Sequence, residues 1–277
     1  MARIGTHTSE VKAATASVKG AEIYHEVRGS GSSVLFISGA TGDAGHFGRV
    51  AELLADEFTV VTYDRRGNSR SPRPAGWDTT STEEQADDAA GLLEALGLAP
   101  AAVLGTSGGA IIGLNLVIRH PEVVRGAILH EPPMVSALAR PEDMMGAIQE
   151  IVEGGMAKGG PRGAVESFVR FAAGDEIFEN LNPELRERML GNGETLFGTE
   201  FGAFESYRPN DANLAAVEVP VHVMVGTDSA PFFGEAARWL AARLGVEVST
   251  LTGGHAPYFD RPEDVTKEVR PFLRQVS

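Results

Sequence analysis

One stretch constrains the fold more than any other: Ala101-Ala102-Val103-Leu104-Gly105-Thr106-Ser107-Gly108-Gly109-Ala110-Ile111-Ile112-Gly113-Leu114. It reads as a short apolar strand, a Gly-x-Ser-x-Gly turn and an apolar run with small residues, which is the pattern of a helix packed against the strand it leaves. A serine at the tip of so tight a turn takes unfavourable backbone angles. Its neighbours must lack bulky side chains if strand and helix are to approach closely. Gly105, Gly108 and Gly109 supply that clearance, and the helix behind Ser107 aims free N–H groups and its positive dipole end at whatever the hydroxyl attacks.

The flanking chain repeats the alternation. Residues 1–10 are polar and read as loose. The segments Val11–Val18 and Ala21–Val27 alternate apolar and polar residues about a Gly20 turn, as an antiparallel edge hairpin does. Val34-Leu35-Phe36-Ile37 and Phe58–Tyr63 are apolar throughout, as strands covered on both faces are. Helices are expected over about 45–56 and over 83–96, where Thr80-Ser81-Thr82 supplies the cap. A further strand, Val123–Leu129, closes at His130-Glu131-Pro132-Pro133. From 135 to about 217 the pattern is helical, broken at Gly154-Gly155 and Gly159-Gly160-Pro161. Strand and helix then resume: Val219–Val225, Phe233–Leu244, Val246–Leu251 and Pro262–Val276. This rhythm predicts an α/β fold with a mostly parallel, doubly wound sheet. A helical cap over residues 135–215 would enter after the sixth strand, dividing a core of 1–134 and 216–277.

A serine hydroxyl needs a base within hydrogen-bond reach, itself oriented by an acid. Two late strand ends offer these groups: Val225-Gly226-Thr227-Asp228-Ser229 and Thr252-Gly253-Gly254-His255-Ala256. In a parallel sheet both loops share an edge with Ser107, and the chain order Ser, Asp, His suits this architecture. Glu131, at the end of the strand following the serine helix, is the alternative acid. Of the two, Asp228 is preferred.

These phrases, with Ser38-Gly39-Ala40-Thr41-Gly42-Asp43 and Tyr63-Asp64-Arg65-Arg66-Gly67-Asn68-Ser69, resemble the α/β-hydrolase superfamily over the chain from about residue 20. The resemblance implies Ser107 as nucleophile, His255 as base and Asp228 as orienting acid. It also implies an oxyanion hole formed by the backbone N–H groups of Ala40 and Gly108. The chain departs from many members in carrying Ser38-Gly39 where they have His-Gly. Gly39 is expected near the pocket, and His46, just inside the following helix, is expected in a surface or capping role with a pocket position as the alternative. The Asp64–Ser69 loop reads as a structural turn held by ion pairs.

Composition narrows the partners. Acidic residues outnumber basic ones 38 to 24, for a net charge of −14, whereas nucleic acid and anionic membranes select basic surfaces. There is no cysteine, so disulfides, thiolate metal sites and cysteine nucleophiles are excluded. No His/Asp/Glu group shows metal-ligand spacing, and no dinucleotide fingerprint occurs. Neither a signal-peptide core nor a run of 18 apolar residues is present, which makes a cytoplasmic location the expectation. The expected activity is that of a cofactor-free serine hydrolase on a small ester, thioester or lactone. Its substrate would carry a hydrophobic acyl or ring portion, walled by some of the insertion's apolar residues Met144, Met145, Ile148, Phe168, Phe171, Phe178, Leu196, Phe197, Phe201 and Phe204, with the majority of these packing in the core. Carbon–carbon bond hydrolysis, perhydrolase or haloperoxidase chemistry, and non-catalytic ligand binding are the alternatives on the same scaffold.

Overall fold

A computed structural model describes residues 10–277. The expectation for the amino-terminal stretch therefore lies outside the described residues, except at Glu10. Among the described residues, eight strands form one sheet: β1 (Lys12–Val18), β2 (Ala21–Arg28), β3 (Ser32–Ile37), β4 (Phe58–Tyr63), β5 (Ala101–Thr106), β6 (Val124–His130), β7 (Val221–Gly226) and β8 (Val248–Leu251). Their order across the sheet is β1-β2-β4-β3-β5-β6-β7-β8. The β1–β2 hairpin pairs antiparallel and joins β4 antiparallel, and every pair from β4 to β8 is parallel. The carboxyl ends of β3, β5, β6, β7 and β8 therefore lie along one edge.

Strand periodicity divides the core between the two faces of the sheet. Leu35, Ile37, Val103 and Leu129 pack under α2 (Thr82–Ala95) and α3 (Gly108–Arg119), whereas Val34, Phe36, Leu104 and Ile128 pack on the other face. That second face is covered by α1 (Gly48–Leu54) and by the carboxyl-terminal helix Pro262–Gln275. The expected first helix is shorter than its pattern suggested. A 3₁₀ turn, Ala44–Phe47, capped by the Asp43 carboxylate on Gly45 N–H, precedes α1.

Between β6 and β7 the chain is helical: α4 (Pro141–Ala173), α5 (Asp175–Asn180), α6 (Pro183–Gly191), α7 (Gly193–Thr195), a π-turn (Leu196–Glu200), α8 (Phe201–Glu205) and α9 (Asp211–Ala215). Of the two expected breaks, Gly159-Gly160 is a true kink, where Gly160 adopts φ +61° ahead of Pro161. Gly154-Gly155 stays helical. Gly155 serves close packing, since a Cβ there would sit 2.5 Å from the Gly163 carbonyl oxygen on the returning arm of α4. The series closes with α10 (Pro231–Leu244), β8, the single turn α11 (Pro257–Asp260) and α12 (Pro262–Gln275). No helix among the described residues is long and apolar enough to cross a membrane.

Candidate active site

Ser107 occupies the turn between β5 and α3 with φ +54° and ψ −126°, a left-handed conformation unfavourable to a side chain. The turn is held from both sides. Ser107 N–H donates to the His130 carbonyl at 2.9 Å, and Ser107 C=O starts the helix by accepting from Ala110 N–H at 2.9 Å. Its glycines are sterically required. A Cβ at Gly105 would lie 2.3 Å from the Gly109 carbonyl oxygen, and one at Gly109 would lie 2.1 Å from that of Ile37.

The β3 end runs alongside this turn. A Cβ at Gly39 would fall 3.1 Å from Ser107 Cβ, and one at Gly108 would fall 3.4 Å from Ala40 N. The N–H groups of Ala40 and Gly108 thus sit together beside the serine. Among the described residues neither donates to another protein group.

His255 follows β8, as expected, and its ring stacks on Phe233 of α10 with centroids 4.2 Å apart and planes 14° from parallel. Its partner differs from the expectation. His255 Nδ1 lies 2.5 Å from Glu131 Oε2, while Glu131 Oε1 accepts from Gly226 N–H at 2.7 Å. Glu131 is fully buried. Its backbone adopts φ +50°, which swings the side chain off the end of β6 and across to β7 and β8. Burial pushes the Glu131 carboxyl up, but the His255 hydrogen bond and the neighbouring imidazoles outweigh it and hold the group down at about 2. Asp228, the acid expected in this role, is exposed on the loop after β7. Its N–H donates to the Gly253 carbonyl at 2.9 Å, and its carboxylate bonds to none of the described residues. The physical reason is reach. Pairing His255 with a carboxylate buries one, and only the β6 end delivers it under the ring, where a β7 backbone N–H can satisfy its second oxygen.

Two other histidines are buried close by. The His130 ring, its Nδ1 3.2 Å from Thr106 Oγ1, lies behind His255, and desolvation lowers its pKa to about 4. His46 packs among Phe47, Tyr258 and Phe259, and burial lowers its pKa to about 3. Both are neutral at pH 7. His25 is buried in β2, which β4 and β3 separate from the serine strand β5.

Two small chambers meet at Ser107. One, of about 50 Å³, is lined by Pro133, Val135, Ile148, Phe168, Phe201 and Phe204 with Ala40 and Gly108. The other, of about 40 Å³, is lined by Gly39, Thr41, His46, Met189, His255 and Phe259. Phe168, Ala40 and Ser107 belong to both. Of the ten apolar insertion residues named as candidates for a pocket wall, Ile148, Phe168, Phe201 and Phe204 line it, whereas Met144, Phe178, Leu196 and Phe197 pack in the core and Met145 and Phe171 face solvent. A larger open groove of about 540 Å³, between the start of α2, α3 and residues 203–213, holds none of the catalytic candidates. Among the described residues no group of three or more His, Asp or Glu is disposed for a metal.

Residues 34–268 match the model of the alpha/beta hydrolase family. The chain belongs to that family. A hydrolase of Bacillus subtilis whose activity is uncharacterised, YraK, is 35% identical over 266 residues, covering 94% of this chain and 96% of the relative. The zearalenone hydrolase of Cladophialophora bantiana is 29% identical over 256 residues, covering 91% and 92% of the two chains. Among solved structures, a thermophilic esterase from Thermogutta terrifontis superposes with a TM-score of 0.75 at 26% identity, over 96% of this chain and 99% of that one. This alpha/beta hydrolase therefore carries its family's fold, together with a serine elbow, a buried histidine–carboxylate pair and two free N–H groups on one sheet edge.

Proposed function

We propose that this alpha/beta hydrolase is a cofactor-free serine hydrolase cleaving a small carboxylic ester, thioester or lactone through Ser107, His255 and Glu131. The observation that carries the reading is the 2.5 Å contact between His255 Nδ1 and the buried Glu131, beside a serine held at positive φ. With Nδ1–H committed to the carboxylate, His255 Nε2 is left as the base. It accepts the Ser107 proton as Oγ attacks the carbonyl carbon. The negative charge moves to the carbonyl oxygen, where the Ala40 and Gly108 N–H groups receive it. The C–O or C–S bond then breaks, with the proton passing from Nε2 to the leaving oxygen or sulfur. Water, losing a proton to Nε2, releases the acyl group from Ser107.

Chamber size supports a compact substrate. One water needs about 10–15 Å³ of such volume, so each chamber takes roughly three to five small groups as it stands. The aromatic lining of the larger one suits a short acyl chain or ring edge. In this reading residues 135–215 act as a cap that supplies the phenylalanine wall. The esterase among its structural relatives is consistent with ester chemistry.

A fluorophosphonate probe should label Ser107 stoichiometrically, and a short nitrophenyl ester should be hydrolysed by the native protein. Ser107→Ala should lower that hydrolysis by at least ~10⁴-fold. Absence of labelling in folded protein, or undiminished hydrolysis by the variant, would overturn the proposal.

A further inference from the structure

The charged loop after β4 contains an arginine that no hydrolytic step uses. Arg65 is about 1% exposed, and its guanidinium is wrapped around the β3 end. Nη1 donates to the Gly39 carbonyl at 2.7 Å and to the Ser38 carbonyl at 3.3 Å; Nη2 donates to the Ala40 carbonyl at 2.8 Å. The Gly39 carbonyl is the other end of the peptide group that carries Ala40 N–H. A donor on that oxygen fixes the plane of the amide and polarises it, which aims and strengthens the N–H opposite.

Arg65 is itself anchored from the insertion. Nη2 also donates to Glu200 Oε2 at 3.0 Å, and Glu200, fully buried, accepts from Asn68 Nδ2 at 3.1 Å on its other oxygen. Glu200 closes the π-turn Leu196–Glu200. Such turns add a residue to a helix and re-aim the side chains around them. One helical turn later Phe204 leans on the second donor, since a Cβ at Gly108 would lie 3.2 Å from its Cε1. The insertion thereby grips both N–H groups, one through Glu200 and Arg65 and the other by direct packing. Within the loop between β3 and α1, Gly42 N–H donates to the same Gly39 carbonyl at 3.0 Å, so Arg65 supplies the second, charged donor on that oxygen.

We infer that Arg65, held by Glu200, is a positioning residue for the oxyanion hole, fixing and polarising the Gly39–Ala40 peptide so that Ala40 N–H meets the developing oxyanion. The inference rests on Ala40 serving as an oxyanion donor in the proposed hydrolysis. It makes the insertion part of the catalytic geometry as well as a wall of the pocket. Loss of one whole donor costs about 10²–10³-fold in rate, so loss of its alignment should cost ~10- to 100-fold in kcat.

The test compares native protein with Arg65→Lys, whose single ammonium cannot span Gly39, Ala40 and Glu200 together. A charge-neutral double variant, Arg65→Met with Glu200→Gln, guards against a fold lost to an unpaired buried charge. Rates of p-nitrophenyl acetate hydrolysis are divided by the sites titrated with fluorophosphonate, which removes unfolded protein from the count. The expected result is a ~10- to 100-fold fall in kcat with KM within about threefold, in both variants. Affinity for an alkyl trifluoromethyl ketone, whose serine hemiketal carries the oxyanion, should fall in parallel with kcat/KM. If the variants melt earlier yet keep native kcat per titrated site and native ketone affinity, Arg65 is only structural and the inference fails. Native protein that neither labels at Ser107 nor hydrolyses the ester would fail the hydrolase reading itself, a separable outcome.

Discussion

Glu131→Gln is the most informative single substitution because it keeps the volume and removes one acceptor. In the native site both carboxylate oxygens are used: Oε2 faces His255 Nδ1 at 2.5 Å and Oε1 accepts Gly226 N–H at 2.7 Å. A glutamine has one oxygen and one NH₂. If its oxygen stays on Gly226, its NH₂ meets His255 and forces the tautomer with Nδ1 unprotonated, so that Nε2 carries the proton and cannot act as a base. If its oxygen turns to His255, the buried Gly226 N–H is orphaned, at a cost of about 1–3 kcal/mol. The first arrangement keeps every hydrogen bond and is the stable one. Loss of the acid from a serine triad with geometry kept lowers kcat by about 10⁴-fold, and that is the drop expected here. Asp228→Asn changes an exposed carboxylate without a partner and should alter kcat by no more than about twofold. Nitrophenyl ester kinetics on both variants, normalised by circular dichroism and by melting temperature, decide the matter. The reasoning is refuted if Asp228→Asn abolishes activity while Glu131→Gln keeps a tenth or more of it.

Three further outcomes follow from the same geometry. Gly109→Ala puts a Cβ 2.1 Å from the Ile37 carbonyl oxygen and 2.5 Å from that of Ser38, so it should cost about 3 kcal/mol or more and disable hydrolysis; an unchanged urea midpoint would contradict it. His46 and His130 titrate at about 3 and about 4 in the folded chain, against 6.5 in the unfolded chain, which therefore binds more protons below pH 6.5. Stability should be full above pH 6.5 and fall below it, by about 2 kcal/mol per histidine at pH 5, and His46→Leu should remove about half of that slope in urea titrations. Phe168→Ala joins the two chambers and should lower KM for longer acyl esters by roughly 10-fold while leaving acetate little changed; a uniform loss across chain lengths would mean the residue only holds the insertion in place.

What was legible in the sequence was local. The serine turn, the both-faces-buried strands and the kink at Gly159-Gly160 follow from steric rules acting within a few residues, and the structure carries all three. The acid was not decided locally. Asp228 and Glu131 both end strands on the correct edge, and the choice depends on which carboxylate is buried beneath His255 and offered a second donor. That donor is the backbone of Gly226, 95 residues beyond Glu131. A weak signal was present in His130-Glu131-Pro132-Pro133, a buried strand ending on a charge that two prolines hold out of further pairing. The Arg65–Glu200 pair spans 135 residues, and Glu200 lies in a stretch whose pattern reads only as helix. Its burial follows from the π-turn, which no periodicity announces. The helical pattern around His46 favours a surface or capping role, yet the residue is buried at the pocket because Tyr258 and Phe259 are brought in from the far end of the chain.

Placing the paired carboxylate on β6 has an evolutionary consequence. Ala40, Ser107 and Glu131 all precede the insertion, on the neighbouring strand ends β3, β5 and β6, and His255 alone arrives after it. In the proposed mechanism the Asp228 side chain thereby has no chemical duty and faces solvent, while its N–H still holds the Gly253 carbonyl. On that reading the side chain at 228, which borders the same surface cavity as His255, is a rim position free to change charge without disturbing the atoms that react. Such a rim is where new substrate preferences could be tried at little cost to the reaction already running.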